Sequence, residues 1–118
     1  MKNIIESILS IRDDVLFAYL FGSYARSEER ESSDVDVAVY LKDTSLDARL
    51  EIHHTLEAAL KKSVDLVVLN SVKNMYLLES ILNEGVVIKD ADERPLFEVE
   101  KNLDIIDFRN FKKYIDAA

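Results

Sequence analysis

The sequence predicts a single α+β domain in which short buried strands alternate with amphipathic helices. Apolar residues recur at helical spacing over residues 2–12, 46–61 and 72–82. Between these segments lie short apolar runs rich in valine and aromatic residues, which are typical of buried strands. At 118 residues the chain is long enough for one domain with a substantial core, and too short for two.

The N-terminal part is predicted to place two strands around a charged segment. A first helix is expected over residues 2–12, followed by a buried strand over 15–21 that is too short for a typical helix. The charged residues 24–30 are expected to form either a loop or a helix of one or two turns, and in the second case Ser23 would be its N-cap. Residues 35–41 alternate apolar and polar in their first half, which predicts the second strand.

The remaining elements follow from periodicity and from capping residues. Ser45 suits the N-cap of the first of these helices, Gly85 the C-cap of the second, and Pro95 the first turn of the last. In chain order we predict a helix over 46–61, a third buried strand over 64–69, a helix over 72–82, a short edge strand over 86–88 and a last helix over 95–114.

The last helix is apolar on more than one side. A helix so broadly apolar must be covered, either by its own sheet or by another chain, and the sequence leaves both possibilities open. One line of apolar residues consists of Leu96, Val99, Leu103 and Ile106, and those off this line are Phe97, Phe108, Phe111 and Ile115.

Composition excludes several classes of function. The absence of cysteine excludes disulfides, thiolate nucleophiles and cysteine-bound zinc or iron–sulfur clusters. A net charge of −8 argues against a general grip on nucleic acid, which needs clustered Lys and Arg. No apolar run approaches the roughly 20 residues of a membrane span, and the N-terminus does not resemble a signal peptide. We therefore expect a cytoplasmic protein with no membrane or direct nucleic-acid partner.

Two carboxylates at the start of the second strand are the main candidate site residues. Because successive strand side chains point to opposite faces, Asp34 and Asp36 are expected to project to the same side. Their mutual repulsion would be removed by a bound divalent cation. Mg²⁺ is the natural candidate, since it takes oxygen ligands and is commonly shared between carboxylates and substrate phosphates. Asp65, near the start of the third strand, is a further candidate ligand.

The turn after the first strand is the candidate phosphate site. Gly22 lets the backbone approach an anion closely, and Ser23 at a helix N-terminus would add N–H donors and a favourable dipole. Arg26 lies just beyond and is suited to a bidentate phosphate contact. It is equally well explained as a surface ion-pair partner of its glutamate neighbours, so both roles stay open.

These motifs resemble a known signature. The pair Gly22-Ser23, a gap of ten residues, the triplet Asp34-Val35-Asp36 and a later strand aspartate are similar to the DNA polymerase beta nucleotidyltransferase superfamily. More narrowly, FGSYAR followed by SDVDVAV in a short chain resembles the minimal nucleotidyltransferases that act as antitoxins beside HEPN toxins.

The resemblance implies a polymerase beta-like fold, with a short mixed sheet backed by helices. It also implies a nucleotidyltransferase domain over 1–92 and, over 93–118, a C-terminal helix that packs on this domain, on a partner or on both. One departure concerns Ser27, which stands where the family commonly has a glycine. Because serine does not adopt a positive φ cheaply, we expect the loop to differ slightly there.

The resemblance further implies a mechanism. Asp34, Asp36 and Asp65 would hold two Mg²⁺ ions, and Asp65 could also act as general base. ATP would be the substrate, with Gly22 and Ser23 holding its β- and γ-phosphates so that pyrophosphate leaves.

Chain size and charge first exclude some classes of acceptor for the nucleotidyl group. A small chain leaves no room for a large substrate domain, and its acidity disfavours a polynucleotide, so a hydroxyl on a partner protein is favoured. The resemblance points to a tyrosine on a HEPN ribonuclease toxin, bound in a hetero-oligomer and neutralised by AMPylation. One alternative is a small-molecule hydroxyl, as in antibiotic adenylyltransferases. The other is a non-catalytic module that neutralises a partner by occlusion.

Overall fold

Four strands and four helices make up the described part of the chain, residues 1–117 of a computed structural model. Ala118, the end of the predicted segment 93–118, lies outside these residues. The α+β class is confirmed. In chain order the elements are α1 (Lys2–Ser10), β1 (Val15–Phe21), a 3₁₀ turn (Gly22–Tyr24), β2 (Val35–Leu41), α2 (Leu46–Leu60), β3 (Val64–Val68), α3 (Met75–Glu84), β4 (Val86–Lys89) and α4 (Glu93–Ala117).

The strands form one mixed sheet in the order β3-β2-β1-β4. Strand β1 runs antiparallel to β2 and β4, whereas β2 and β3 are parallel. The prediction of β3 as a buried strand is wrong, because β3 is an edge strand and three of its five residues are only partly buried. A short apolar run has the same appearance at the edge and at the centre of a sheet, so the sequence could not separate the two.

Each face of the sheet carries its own core. Helices α1 and α2 cover one face, where Val35, Val37 and Val39 point. Helices α3 and α4 cover the other face, where Ala38 and Tyr40 contact them. Strand alternation therefore places Asp36 on the α3/α4 face, in line with two residues that lie beneath these helices.

Two helix ends follow from their capping residues. Ser45 caps α2 as predicted, since its hydroxyl accepts a hydrogen bond from the Ala48 N–H at 3.2 Å. The predicted start of α3 at residue 72 is wrong. The helix begins at Met75 because the Asn74 side chain accepts hydrogen bonds from two backbone N–H groups in its first turn, each at 3.1 Å.

Gly85 ends α3 as predicted, but it is extended and not left-handed, with φ −67°. A Cβ at Gly85 would lie 2.3 Å from the Ile81 carbonyl oxygen. Close approach of the chain to the last turn of α3 is therefore what requires glycine here.

Helix α4 docks through one face and leaves another open. Phe97 and Ile105 are buried, and the Phe97 ring lies 5.3 Å from each of Phe17 and Tyr40, centroid to centroid. The opposite side is exposed by 51% to 76% in each residue and is called the α4 stripe below; it consists of Leu96, Val99, Leu103 and Ile106. The sheet thus covers one face of this helix, and the α4 stripe is left uncovered within residues 1–117.

A polar network also fixes α4 to the sheet. The Tyr19 hydroxyl on β1 donates a hydrogen bond to Glu98 at 2.6 Å, and the Arg94 guanidinium donates to Glu98 at 2.9 Å. Arg94 also pairs with Asp90 at 2.6 Å. Burial, with help from Glu98, raises the pKa of Tyr19 well above its usual value, so the phenol stays protonated.

Within residues 1–117, no helix combines the length and hydrophobicity that a membrane crossing needs.

Candidate active site

The sheet brings three sequence-distant points into one row. Phe21, the last residue of β1, pairs with Asp36 on β2, and Asp36 pairs with Asp65 on β3. Because the β2–β3 pairing is parallel and in register, the Asp36 and Asp65 side chains project to the same face of the sheet. Asp34 lies two residues before Asp36, just outside β2. The predicted carboxylates therefore gather at one end of the α3/α4 face.

Gly22 lies directly against the central carboxylate. Its φ is +73°, a backbone conformation in which an L side chain is strained. A Cβ at this position would lie 2.1 Å from Oδ2 of Asp36. The glycine thus leaves the space that the Asp36 carboxylate occupies, which ties the Gly-Ser motif to the Asp-x-Asp motif through direct contact.

The electrostatics of Asp36 are those of an incompletely neutralised carboxylate. Burial raises its pKa, and the negative charges of Asp65 and Asp34 raise it further. Arg26 acts in the opposite direction but forms its ion pairs elsewhere, with Glu28 at 3.1 Å and Glu84 at 3.3 Å. The carboxylate row therefore favours the approach of a cation.

The donor set fits a divalent cation in its chemistry, since three carboxylates offer the hard oxygen ligands that Mg²⁺ takes. The absence of a side chain at Gly22 leaves room for the Asp36 carboxylate. Within residues 1–117, however, no three acidic or histidine side chains converge closely enough to hold one ion. Asp34 and Asp65 are exposed, so their side chains have room to change rotamer toward a bound ion.

Of the two possibilities for residues 24–30, the helix is wrong: the segment is a turn and loop, and Ser23 is not an N-cap. Ser23 lies inside the 3₁₀ turn, which Phe21 precedes without a side-chain capping bond. The turn is closed by hydrogen bonds from the Ala25 and Arg26 N–H groups to the Gly22 carbonyl, at 3.1 and 3.2 Å. No helix dipole therefore points at a phosphate, and the Ser23 hydroxyl and the turn itself are the groups left to contact it.

Ser27 resolves the departure from the family pattern. Its φ is +56°, so the serine adopts the left-handed conformation that glycine adopts easily. The expectation that the loop differs because serine avoids positive φ is wrong for its backbone. Ser27 is therefore a strained residue, and the turn around it is closed by a hydrogen bond from the Glu28 N–H to the Ser23 carbonyl at 2.9 Å.

Other polar residues lie apart from this site or were not predicted. His53 contacts the Val64 carbonyl at 2.7 Å while His54 is exposed, so the two histidines do not share a ligand site. Sequence reasoning missed Glu84, which reaches Arg26 from the end of α3, and Arg49, whose Nε is buried without a hydrogen-bond partner within residues 1–117. Only the packing of α3 and α2 places these two, so no local signal could have identified them.

Comparison with known sequences finds related proteins. A family model described as "Polymerase beta, Nucleotidyltransferase" matches residues 3–94. Protein adenylyltransferase MntA of Thermococcus cleftensis is 40% identical over 70 residues, which are 58% of this chain and 70% of that protein.

Solved structures of similar shape include toxin–antitoxin complexes. One complex with AMP-PNP contains a chain of 28% identity and TM-score 0.83, over 98% of this chain and 95% of that one. A complex of tri-AMPylated Shewanella oneidensis HEPN toxin with MNT antitoxin gives 26% identity and TM-score 0.75, over 99% and 97%. These matches extend through α4, whereas the family model ends at residue 94, at the start of that helix.

Proposed function

Because the chain belongs to the polymerase beta nucleotidyltransferase family, as its motifs predict, we propose that it transfers AMP from ATP to a tyrosine hydroxyl of a partner HEPN ribonuclease toxin. The modification silences the toxin, so the chain acts as its antitoxin, in the cytoplasm. The observation that carries this proposal is the row formed by Gly22, Asp36 and Asp65, with the Asp36 carboxylate held against the glycine.

Mg²⁺ is the proposed cofactor, as two ions held by Asp34, Asp36 and Asp65. When bound, it supplies charge neutralisation at the reacting phosphate and orients the entering and leaving oxygens. The support for this assignment is the raised pKa of Asp36, whose repulsive neighbours and burial disfavour its charged form until a cation is present.

The phosphates are proposed to lie at the turn after β1. Gly22 allows the backbone to approach them, and the Ser23 hydroxyl donates a hydrogen bond. Arg26 binds a phosphate oxygen by exchanging its pairs with Glu28 and Glu84. This exchange costs little, because exposed ion pairs contribute little to stability.

Asp65 is proposed as the general base, since it is exposed at the acceptor side of the row. The hydroxyl oxygen forms a bond to the α-phosphorus as its proton passes to the Asp65 carboxylate. The bond between the α-phosphorus and the bridging oxygen breaks, and pyrophosphate leaves toward Gly22 and Ser23. After the transfer, AMP is attached to the partner's hydroxyl oxygen and the Asp65 carboxyl carries the proton.

The partner is proposed to bind the α4 stripe. The stripe is a line of exposed apolar side chains on a chain of net charge −8. The similar chains solved in toxin–antitoxin complexes share α4 with this chain, although the family model ends where α4 begins. Removing α4 would also uncover the Phe97 core contacts, so substitution at Leu103 is a cleaner probe of binding than truncation.

The test is to mix the chain, Mg²⁺, ATP labelled in the α-phosphate and the HEPN toxin encoded beside it. We expect label on the toxin, lost in Asp34→Asn and kept in Asp13→Asn, a matched change in the turn before β1, at the opposite end of that strand from Gly22. Label on a small molecule only would favour an adenylyltransferase of the antibiotic type. Neutralisation that persists in Asp34→Asn without label would favour a binding module.

A further inference from the structure

The strand order gives the reaction a direction. In an in-line displacement the attacking and leaving oxygens lie on opposite sides of the phosphorus. Gly22 follows β1, Asp36 is on β2, and Asp65 is on β3, which is the edge of the sheet. If pyrophosphate leaves on the β1 side, the attacking hydroxyl must approach from the β3 side.

A groove opens at this edge, between β3 and α2. Its volume is about 310 Å³. Leu46 and Leu50 of α2 are 62% and 55% exposed there and present apolar surface to the groove. Asp65 borders the groove, although its side chain projects to the α3/α4 face, away from α2. The other lining residues include Arg49, Leu66 and Val68.

The backbone of β3 is open along the same edge. Leu69 donates to the Val39 carbonyl at 2.8 Å, and the Ser63 carbonyl accepts from Val35 at 3.0 Å. The backbone N–H and carbonyl groups of the odd-numbered residues of β3 therefore point toward β2, and those of the even-numbered residues point outward from the sheet.

The outward groups are only partly occupied. Val64 is covered at both groups, by Glu57 at 2.9 Å and His53 at 2.7 Å. The Val68 carbonyl accepts from Ser71 at 3.3 Å. Leu66, next to Asp65, presents its N–H and carbonyl where no strand of residues 1–117 pairs with it. Such an edge is suited to accept an extended segment as an added strand.

Arg49 adds a polar requirement to the groove. Its Nε is buried, and within the described chain it has no hydrogen-bond acceptor. A buried donor without an acceptor costs about 1–3 kcal/mol, which is relieved if the Arg49 side chain turns toward an oxygen of a bound segment. A carboxylate is the best match, because its charge complements the guanidinium.

On the premise of the AMP transfer proposed above, we propose that the acceptor protein presents its hydroxyl on an extended segment docked along the open edge of β3. Its backbone pairs with Leu66, an apolar side chain contacts Leu46 and Leu50, and an acidic group or carbonyl meets Arg49. Because side chains alternate along an added strand, a neighbouring side chain of the segment points to the α3/α4 face, and this one carries the hydroxyl to Asp65. The α4 stripe holds the partner, while this edge aligns the reacting group.

The experiment is steady-state AMP transfer to the HEPN toxin by Leu50→Glu and, independently, Leu46→Glu. Both leucines are exposed, so folding is retained. We expect kcat/KM for the toxin to fall at least tenfold in each, with the Kd for ATP unchanged within twofold by equilibrium dialysis. The matched control is Ile11→Glu, an 82% exposed residue at the end of α1, which should keep the wild-type kcat/KM.

The failures of the two proposals are distinguishable. Wild-type chain that transfers no label to the toxin overturns the proposed function, and the docking edge with it. Wild-type transfer that survives in Leu50→Glu and Leu46→Glu with unchanged kcat/KM overturns the docking edge alone. An equal loss in Ile11→Glu also overturns it, because the effect would then follow added negative charge anywhere on the surface.

Discussion

Two carboxylates associated with the α3/α4 face of the sheet have opposite surroundings. Glu98 accepts hydrogen bonds from the Tyr19 hydroxyl and from the Arg94 guanidinium, at 2.6 and 2.9 Å. Asp36 instead lies half-buried between the negative charges of Asp34 and Asp65, and burial and repulsion raise its pKa. The first carboxylate is satisfied by its own chain, and the second is not.

The difference separates stability from function. A satisfied carboxylate such as Glu98 holds two elements together, here β1 and α4. An unsatisfied one such as Asp36 lowers the stability of the fold but retains the capacity to bind a cation. Substitutions around Glu98 should therefore change the free energy of unfolding, and substitutions around Asp36 should change AMP transfer.

Gly22→Ala should have the largest effect on transfer. The added Cβ would lie 2.1 Å from Asp36 Oδ2 and would strain a residue at φ +73°, so the carboxylate must move. We expect AMP transfer to fall at least about 100-fold, as misplacement of reacting groups by about 1 Å does. The control is Gly85→Ala, which should lower stability but keep transfer per folded molecule; wild-type transfer by Gly22→Ala would refute the contact as a functional one.

Glu98→Ala should show the opposite pattern. It leaves the buried Tyr19 hydroxyl without its acceptor, so the free energy of unfolding in urea should fall by about 1–3 kcal/mol. Transfer per folded molecule should stay within twofold of wild type. If transfer is lost while stability is kept, the Glu98 network and the Asp36 site are not functionally separate.

The pH dependence of stability should distinguish Asp36 from an ordinary carboxylate. Its pKa is raised above 3.8 in the folded chain, so the folded state binds the proton more tightly than the unfolded state does. The resulting penalty is absent at low pH, grows as pH rises above about 4 and is complete above the raised pKa. Unfolding of wild type and Asp36→Asn across pH should therefore show a gain for the variant that appears above pH 4. A constant difference would contradict the raised pKa.

Ser27→Gly should have the smallest effect. A left-handed conformation at a residue with a Cβ destabilises the folded chain by about 1–2 kcal/mol. Glycine removes this strain, but it also makes the unfolded chain more flexible, which offsets part of the gain. We expect a net gain of about 0.5–1 kcal/mol in chemical denaturation, with transfer within twofold. Ser32→Gly, in the same loop at a residue without positive φ, should instead lose a little stability, and equal changes in both would argue against strain at Ser27.

The sequence predicted the elements and the motif residues because these depend on local patterns. Strand alternation placed Asp36 on one face, and the side-chain cap at Ser45 began α2 where expected. The motifs also led to the correct family, which the match over residues 3–94 confirms.

What the sequence could not predict depends on pairing between distant segments. The register of Asp36 with Asp65 and the edge position of β3 are set by strand order, which no local pattern encodes. Periodicity identified two apolar sides of α4 but not which of them docks. The charged segment over 24–30 has helix-forming residues, yet the turn at Gly22 and the left-handed Ser27 prevail over that propensity.

The most direct test measures transfer and stability together in Asp36→Asn at neutral pH. Labelled AMP transfer to the HEPN toxin should fall at least about 100-fold, as losses of central electrostatic groups do. The free energy of unfolding without added metal should stay equal to that of wild type or exceed it. Retained transfer with lost stability would contradict the account, because Asp36 would then be a structural carboxylate like Glu98.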